Sequence, residues 1–510
     1  MLSIVKSAAL LGMEGYIVDV EVDVSNGLPG FSIVGLPDTA VRESTERVRS
    51  ALKNSGLDFP MKRITVNLAP ADLRKEGPAY DLPIAVGILA ATGQIDPNRL
   101  NGHGVLGELS LDGSVRTVTG VLPTALVLRE KGFSGLVVPE ANGKEASLVG
   151  GLSVYPVTSL MGLVKFLRGE QDILLHPEDI NFLDGEERGG LLDFAEVKGQ
   201  FLARRALEVA AAGGHNVIMV GPPGSGKTML ARRLPTILPQ LTLEEAFEVT
   251  KIYSLAGLLQ PQQPLVRERP FRSPHHNASA SSLIGGGRIP KPGEISLAHF
   301  GVLYLDEMPE FPRDALEALR QPLEDGIVTI SRVQAALTYS ARFQLIASLN
   351  PCPCGYFGDN SRPCSCTPAM IQRYLNRLSG PLLDRIDLQI DVPRLEYQDL
   401  ESGVQPESSA HILQRVEQAR EIQWERFNGL GISCNAHMGA KETRHFCIMT
   451  PGGVRLLKEA FRQLQLSARV HDRIKKVART IADLEGSAEI KEQHVAEALQ
   501  YRGLNRHSRQ

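Results

Sequence analysis

The chain has 510 residues, 43% hydrophobic and 22% charged, with a formal net charge of −3. That length exceeds one ordinary core, so two to four domains are expected, and the composition excludes a disordered chain and a small disulfide-stapled scaffold. A near-neutral total does not exclude a nucleic-acid motor, which can confine its basic residues to a channel.

The opening stretch "MLSIVKSAALLGMEGYIVDV" carries Lys6 inside its apolar run and Glu14 soon after, so no signal-peptide core forms. No later run reaches membrane-spanning length, and a cytoplasmic protein without a membrane partner is expected. Residues 1–168 read as a mixed domain, with strands such as "RITVNL" and "GLVVPE" and a helix from Asp38 to Lys53 stopped by Ser55-Gly56. "GELSLDGSVRTV" reads as a hairpin turning at Asp112-Gly113. Seven acidic residues between Glu170 and Glu187, with Pro177 and Gly185 among them, mark residues 169–189 as a linker.

From 190 to 395 the pattern alternates helix and strand, which implies a parallel, helix-covered sheet. "FLARRALEVAAA" leads to the apolar run "NVIMV" and then to "GPPGSGKT" at Gly221, Pro222, Pro223, Gly224, Ser225, Gly226, Lys227 and Thr228. Glycines at those positions let backbone N–H groups face phosphate oxygens, Lys227 neutralises β/γ charge, and Thr228 is a Mg²⁺ ligand. About eighty residues on, "GVLYLDE" is a buried strand ending in Asp306 and Glu307, at the edge where open α/β sheets place ligands. Asp306 is expected to position Mg²⁺ and Glu307 to orient and polarise the attacking water of ATP hydrolysis. A third strand, "FQLIASLN", ends in Asn350, which alone reads as a turn cap. Beside Glu307 it becomes a group that holds the water near the γ-phosphate. In "GPLLDRIDL", Arg385 lies between Asp384 and Asp387, and on this stretch alone it reads as a surface salt bridge. Residues 396–510 turn helical, with "AHILQRVEQAREIQWERF" and "VHDRIKKVARTIADL" the clearest segments.

Four of the six cysteines, Cys352, Cys354, Cys364 and Cys366, form C-x-C-x9-C-x-C directly after Asn350. In a reducing compartment metal binding or reactivity is expected rather than disulfides, and four thiolates suffice for one tetrahedral Zn²⁺.

The motifs "GPPGSGKTML", "GVLYLDE", "SLNPCPCG", "LSGPLLDRIDL" and "SARVHDRIKKVARTIADL", together with the N-terminal segment, resemble an AAA+ ATPase of the magnesium-chelatase-like group, and most closely the bacterial YifB/ComM family. The resemblance implies an AAA+ α/β P-loop core with a helical lid, preceded by an N-terminal Lon-protease-like α+β domain. It implies that Asn350 is sensor 1, Arg385 an arginine finger offered to a neighbour's ATP, and Arg469 the sensor 2 arginine, and hence a homo-oligomeric ring, expected to be a hexamer. Arg469 opens a helix whose apolar stripe is Val470, Ile474, Val477 and Ile481; the helix dipole disfavours a cation there unless a phosphate is near, and an exposed arginine is the plain alternative. "EGPAY" matches the Lon segment that carries the nucleophilic serine, but the position is Ala79, and residues 119–124 hold no lysine. Without nucleophile or base, amide hydrolysis has no starting group.

"EDGIVTISRVQAALTYSARF" reads as a hairpin between the second and third motif strands, with Arg332 and Gln334 near its tip as candidates for gripping a polymer backbone. "FRSPHHNASASSLIGGGRIPKPG" fits the group's helix-2 insertion, and its Arg272, His275, His276, Arg288 and Lys291 are candidate phosphate contacts. Between Lys458 and Arg479 seven basic residues face two acidic ones, either a solvated face or one turned to nucleic acid or a neighbouring subunit. The resemblance implies an ATP-driven DNA motor that promotes branch migration on single-stranded or branched DNA in recombination during natural transformation. The alternative is a protein-remodelling or chelatase-type motor subunit acting on a partner protein.

Overall fold

The computed structural model describes residues 1–177, 192–260, 262–287, 291–331, 336–359, 362–395, 406–464 and 466–502. It is a mixed α/β structure built around two sheets, each with its own apolar core.

The first sheet has seven strands, in the spatial order Gly30–Val34, Arg63–Ala69, Glu14–Ser25, Leu2–Leu11, His103–Val105, Gly135–Pro139 and Ser153–Val157. Alternation decides its faces. Val18, Val20, Val22 and Val24 of one long strand and Ile64, Val66 and Leu68 of its neighbour all point to one buried side. The helix Thr39–Asn54 covers that side, and its ends follow the expected chemistry. Asp38 accepts from the Val41 N–H at 2.8 Å, and Gly56, at φ +70°, turns the chain away after Ser55. The expected hairpin is present: Glu108–Leu109 pairs antiparallel with Val115–Arg116 around Gly113.

The second sheet is parallel throughout its five strands, ordered Phe271–Arg272, Val302–Leu305, Gln344–Leu349, Val217–Val220, Leu388–Asp391. The first of these in chain order, Val217–Val220, lies next to last in space, so the three inner strands bring the ends of three motif segments together. Val217 and Met219 face one core with Tyr304 and Ile346, while Ile218 and Val220 face the other with Leu303, Leu305, Leu345 and Ala347. The helices Ser409–Arg426 and Ala468–Leu484 close the first of these faces. On the latter, Val470, Ile474, Val477 and Ile481 are buried as the 3.6-residue stripe requires.

The expected hairpin pairs Ile327–Ser331 with Ala336–Ser340, Ser331 opposite Ala336. Arg332 and Gln334 lie outside the described residues, as do Arg288 and most of the acidic linker.

Candidate nucleotide site and cysteine cluster

The turn after Val217–Val220 is shaped by its glycines. A Cβ on Gly221 would stand 2.1 Å from the Val392 carbonyl oxygen, while Gly224 (φ +77°) and Gly226 (φ +89°) adopt backbone that side chains resist. Gly226 then opens the helix Lys227–Arg233. Lys227 is buried; its Nζ donates to the carbonyls of Gly221 (2.7 Å) and Pro222 (2.9 Å) and reaches Asn350 Oδ1 at 3.4 Å. Burial lowers its pKa, opposed by the charges of Asp306 and Glu307.

Thr228 Oγ1 donates to Asp306 Oδ2 at 3.0 Å. That separation equals the edge of an octahedron with bonds of about 2.1 Å, so a hydroxyl and a carboxylate here fit Mg²⁺. Two groups that sequence reasoning did not single out hold this pair. The Tyr304 hydroxyl donates to Thr228 Oγ1 at 3.2 Å. Ser348 Oγ donates to Asp306 Oδ1 and accepts from the Glu307 N–H at 3.2 Å. The signal was available, since Ser348 is a polar residue in a strand that is apolar from Leu345 to Leu349 apart from it. Glu307 itself sits at φ +52°, in the left-handed region, with its carboxylate half exposed and 3.6 Å from His276 Nδ1. Gln200, also at positive φ, ties the loop down from behind by donating to the carbonyls of Ser225 (3.3 Å) and Pro393 (2.6 Å).

Lys227, Thr228, Asp306, Glu307 and Asn350 are thus brought to one place. Arg385 and Arg469 converge elsewhere, on Glu324. Arg385 is not the surface ion pair its sequence neighbours suggested: it is buried, and donates to Glu324 and to the Pro381 carbonyl (2.6 Å). Arg385 foremost, with Arg469 and Arg320 adding charge, holds the Glu324 carboxyl below its ordinary range. Asp387 is buried too, bonded to Arg473 and to the Asn216 N–H at 3.1 Å. The basic stretch Lys458–Arg479 is likewise not one outward face. Arg473 meets Asp387, Lys476 donates to the Ala436 carbonyl, and Arg479 is buried against Asp483. Arg272, a candidate phosphate contact, is held by both oxygens of Glu294 at 2.7 and 2.8 Å.

The four clustered cysteines place one sulfur each within 4.8 Å of the others, with Sγ–Sγ separations of 3.3, 3.6 and 3.7 Å. A zinc tetrahedron with bonds of about 2.3 Å has edges of about 3.8 Å, so the donor set fits Zn²⁺. Without a metal the sulfurs oppose one another: the Tyr356 N–H foremost lowers the Cys354 thiol to about 6, while burial and the neighbouring sulfurs push Cys364 up to about 12 and raise Cys366. The loop they form lies against the nucleotide turn: a Cβ on Gly355 would stand 2.7 Å from Pro223 Cδ.

At the other sheet, Ala79 packs in an apolar cluster with Val121 and Leu122, which also takes in Phe247 of the helix Leu243–Ala256. Ser254 of that helix donates to Glu145 Oε1 at 2.5 Å and accepts from the Gly120 N–H at 3.2 Å. Ala79 and residues 119–124 thus lie at a joint between the two sheets' elements.

Residues 193–400 match the family model described as magnesium chelatase, subunit ChlI; residues 20–142 match that for subunit ChlI of Mg-chelatase, and 406–502 that for the ChlI C-terminal region. The chain is 47% identical over 512 residues to competence protein ComM of Haemophilus influenzae, covering 99% of this chain and 98% of that protein. It is 46% identical over 507 residues to the protein YifB of Escherichia coli, with the same coverage of 99% and 98%. A Lon protease of Mycolicibacterium smegmatis shares 25% identity over 169 residues, 31% of this chain and 21% of the protease. No helix among the described residues is long and apolar enough to cross a membrane.

Proposed function

Because the chain belongs to the YifB/ComM family of magnesium-chelatase-like AAA+ proteins, we propose that it is a Mg²⁺-ATP hydrolase that works as a homo-oligomeric ring, a hexamer in the simplest form, and moves DNA strands in branch migration during recombination. The observation that carries the hydrolase reading is the 3.0 Å pairing of Thr228 with Asp306 beside Lys227 and Glu307. The DNA reading draws support from the competence protein that shares 47% of its residues with this chain.

Mg²⁺-ATP, when bound, supplies the transferable phosphoryl group and neutralises its developing charge. In this reading the turn from Gly221 to Gly226 presents N–H groups to phosphate oxygens, and Lys227 leaves its loop carbonyls for them. Thr228 and Asp306 would hold the metal. Ser348 fixes Asp306 in that orientation. Glu307 orients and polarises the attacking water, and Asn350, already within reach of Lys227, holds that water from the other side. Arg385 would act in trans, on a neighbour's ATP, on leaving Glu324 and the Pro381 carbonyl. Arg469, beside the same Glu324, is the lid's sensor 2 arginine in this reading, and from there it too would meet a neighbour's nucleotide. Cys352, Cys354, Cys364 and Cys366 would hold Zn²⁺ as a brace on the loop leaving Asn350. The N-terminal domain is Lon-like in fold and without peptidase chemistry, for want of a nucleophile at Ala79.

The test is the ATPase rate and strand displacement of the full chain, with and without single-stranded and branched DNA, using Glu307→Gln as the control. Stimulation and displacement by DNA, absent in the control, support the reading. Hydrolysis that no DNA stimulates, together with no DNA binding in the presence of ATP, removes the DNA motor and favours a chelatase-type subunit acting on a partner protein, the reading that the matched family's description suggests.

A further inference from the structure

The helix Pro368–Leu375 begins directly after the cysteine loop, with Pro368 at its first position and Thr367 Oγ1 accepting from the Met370 N–H at 3.3 Å. It lies on the surface. Pro368, Met370, Gln372 and Arg373 are exposed, and Tyr374, 6% exposed, is the side chain this helix buries. Its ring joins the apolar cluster that takes in Leu349 and Met308, the residues bordering Asn350 and Glu307. A buried tyrosine hydroxyl needs a hydrogen-bond partner, and this one accepts from the Asn350 backbone N–H. The strand's parallel ladder ends at Leu349, so the N–H beyond it is held from the helix rather than from the sheet. Burial foremost, and the charges of Glu310 and Glu307 with it, raises the Tyr374 pKa, which keeps the hydroxyl protonated and places it on the side of the hydrolytic carboxylate. Three residues on, Arg377 donates to the Pro309 carbonyl at 3.2 Å and to Glu310 Oε2 at 2.6 Å. Positions three apart share one helix face, so a single face meets both the chain leaving the Asn350 strand and the turn Met308–Glu310 that follows Glu307.

We propose that Tyr374 is a positioning residue for ATP hydrolysis: its hydroxyl holds the Asn350 main chain, and so aims the carboxamide at the attacking water, while Arg377 steadies the turn after Glu307. The proposal rests on the hydrolase reading above and not on the DNA reading. In that reading Glu307 and Asn350 hold one water from two sides, so their relative placement matters to a fraction of an ångström. The sheet does not supply it. The ladder between Val302–Leu305 and Gln344–Leu349 has its last pair at Leu305 and Ala347, and both working residues lie past it. A brace spanning the two strand ends is what the helix face provides. Without the Tyr374 oxygen the Asn350 N–H is left without its acceptor beside a buried ring, and the chain moves to find another. The phosphates are held by the Gly221–Gly226 turn and Lys227, which Tyr374 does not touch, so hydrolysis and not nucleotide binding carries the effect. Arg377 and Glu310 are about half exposed, and their pair is the weaker of the two contacts.

The experiment measures ATP hydrolysis by the full chain without DNA, in steady state and in single turnover, for the native protein, Tyr374→Phe, Arg377→Ala, Asn350→Ala and the two double variants that combine Asn350→Ala with each of the others. Fluorescent-ATP binding and circular dichroism are measured alongside. Tyr374→Phe keeps the ring and removes the oxygen; kcat is expected to fall about tenfold with nucleotide affinity unchanged. In the Asn350→Ala background the same substitution is expected to cost less than about twofold, because a residue that acts through Asn350 has nothing left to position. Arg377→Ala is expected to lower kcat about twofold and to keep that effect in the Asn350→Ala background, since it acts on the other turn. A packing role alone would leave the Tyr374→Phe penalty at full size in the Asn350→Ala background, and that result overturns the proposal. So does an unchanged kcat in Tyr374→Phe when the native chain is active. A native chain that binds ATP without hydrolysing it overturns the hydrolase reading and this proposal together.

Discussion

Gly221→Ala is a small perturbation whose effect can be worked from coordinates. The added methyl would stand 2.1 Å from the Val392 carbonyl oxygen and 2.9 Å from Ser225 Oγ. The hydroxyl can rotate, but the carbonyl cannot retreat freely, because Val392 is tied by its own N–H to the Val220 carbonyl at 2.7 Å. Relief requires the turn to shift by roughly 1 Å, and displacement of that size at a positioning element costs on the order of a hundredfold. Gly224→Ala makes the comparison sharp. Its Cβ meets open space, so its penalty is only that of a side chain at φ +77°, about 1 kcal/mol or roughly fivefold. Titration of each variant with a fluorescent ATP analogue reads the difference, and circular dichroism checks that both fold. If Gly221→Ala binds nucleotide as tightly as Gly224→Ala, the turn does not need that close approach and the assigned phosphate cradle is wrong.

Asp387→Asn is expected to destabilise the joint between the strand Leu388–Asp391 and the helix Ala468–Leu484 by about 3 kcal/mol, because Arg473 loses its buried counter-charge; urea melts of the variant should reveal it. Burial alone would raise the Asp387 carboxyl, yet Arg473, His215 and Lys476 together hold it well below the usual range. Its contribution is therefore present above the unfolded value of about 4 and lost as pH falls below it, so acid should weaken the native chain more than the variant. Ser348→Ala removes one bond each from Asp306 and the Glu307 N–H, and kcat should fall about tenfold while nucleotide affinity changes little, as a kcat and KM comparison will determine. Metal analysis of the purified chain should find one zinc per protomer, and its removal by a chelator should weaken ATP binding through the Gly355–Pro223 contact; metal-free protein with four freely titratable thiols would rule the zinc site out.

Much of the candidate nucleotide site was legible in the chain. "GPPGSGKT" and "GVLYLDE" carry their chemistry in contiguous residues, each directly after an apolar run, and local periodicity suffices to place them at strand ends. The helix Thr39–Asn54 was legible for the same reason, since Asp38 and Gly56 act on backbone groups within one turn. The four cysteines announced a donor set by their spacing alone. Ser348 could have been read from its polarity inside "FQLIASLN", although its two bonds could not.

Tertiary structure decided which of the remaining charges work in pairs. Arg385 and Arg473 lie in stretches that read as surface charge, yet Arg385 is buried and Arg473 is largely covered, because their carboxylates, Glu324 and Asp387, close on them across 61 and 86 residues of chain. His276 faces Glu307 because an edge strand of two residues runs parallel to its neighbour in one register. Sequence thus determined the groups whose chemistry is local, where backbone geometry spans a few residues. Pairings across the sheet depend on strand order and register, which are fixed by burying two apolar faces at once, and no single stretch of the chain contains that information.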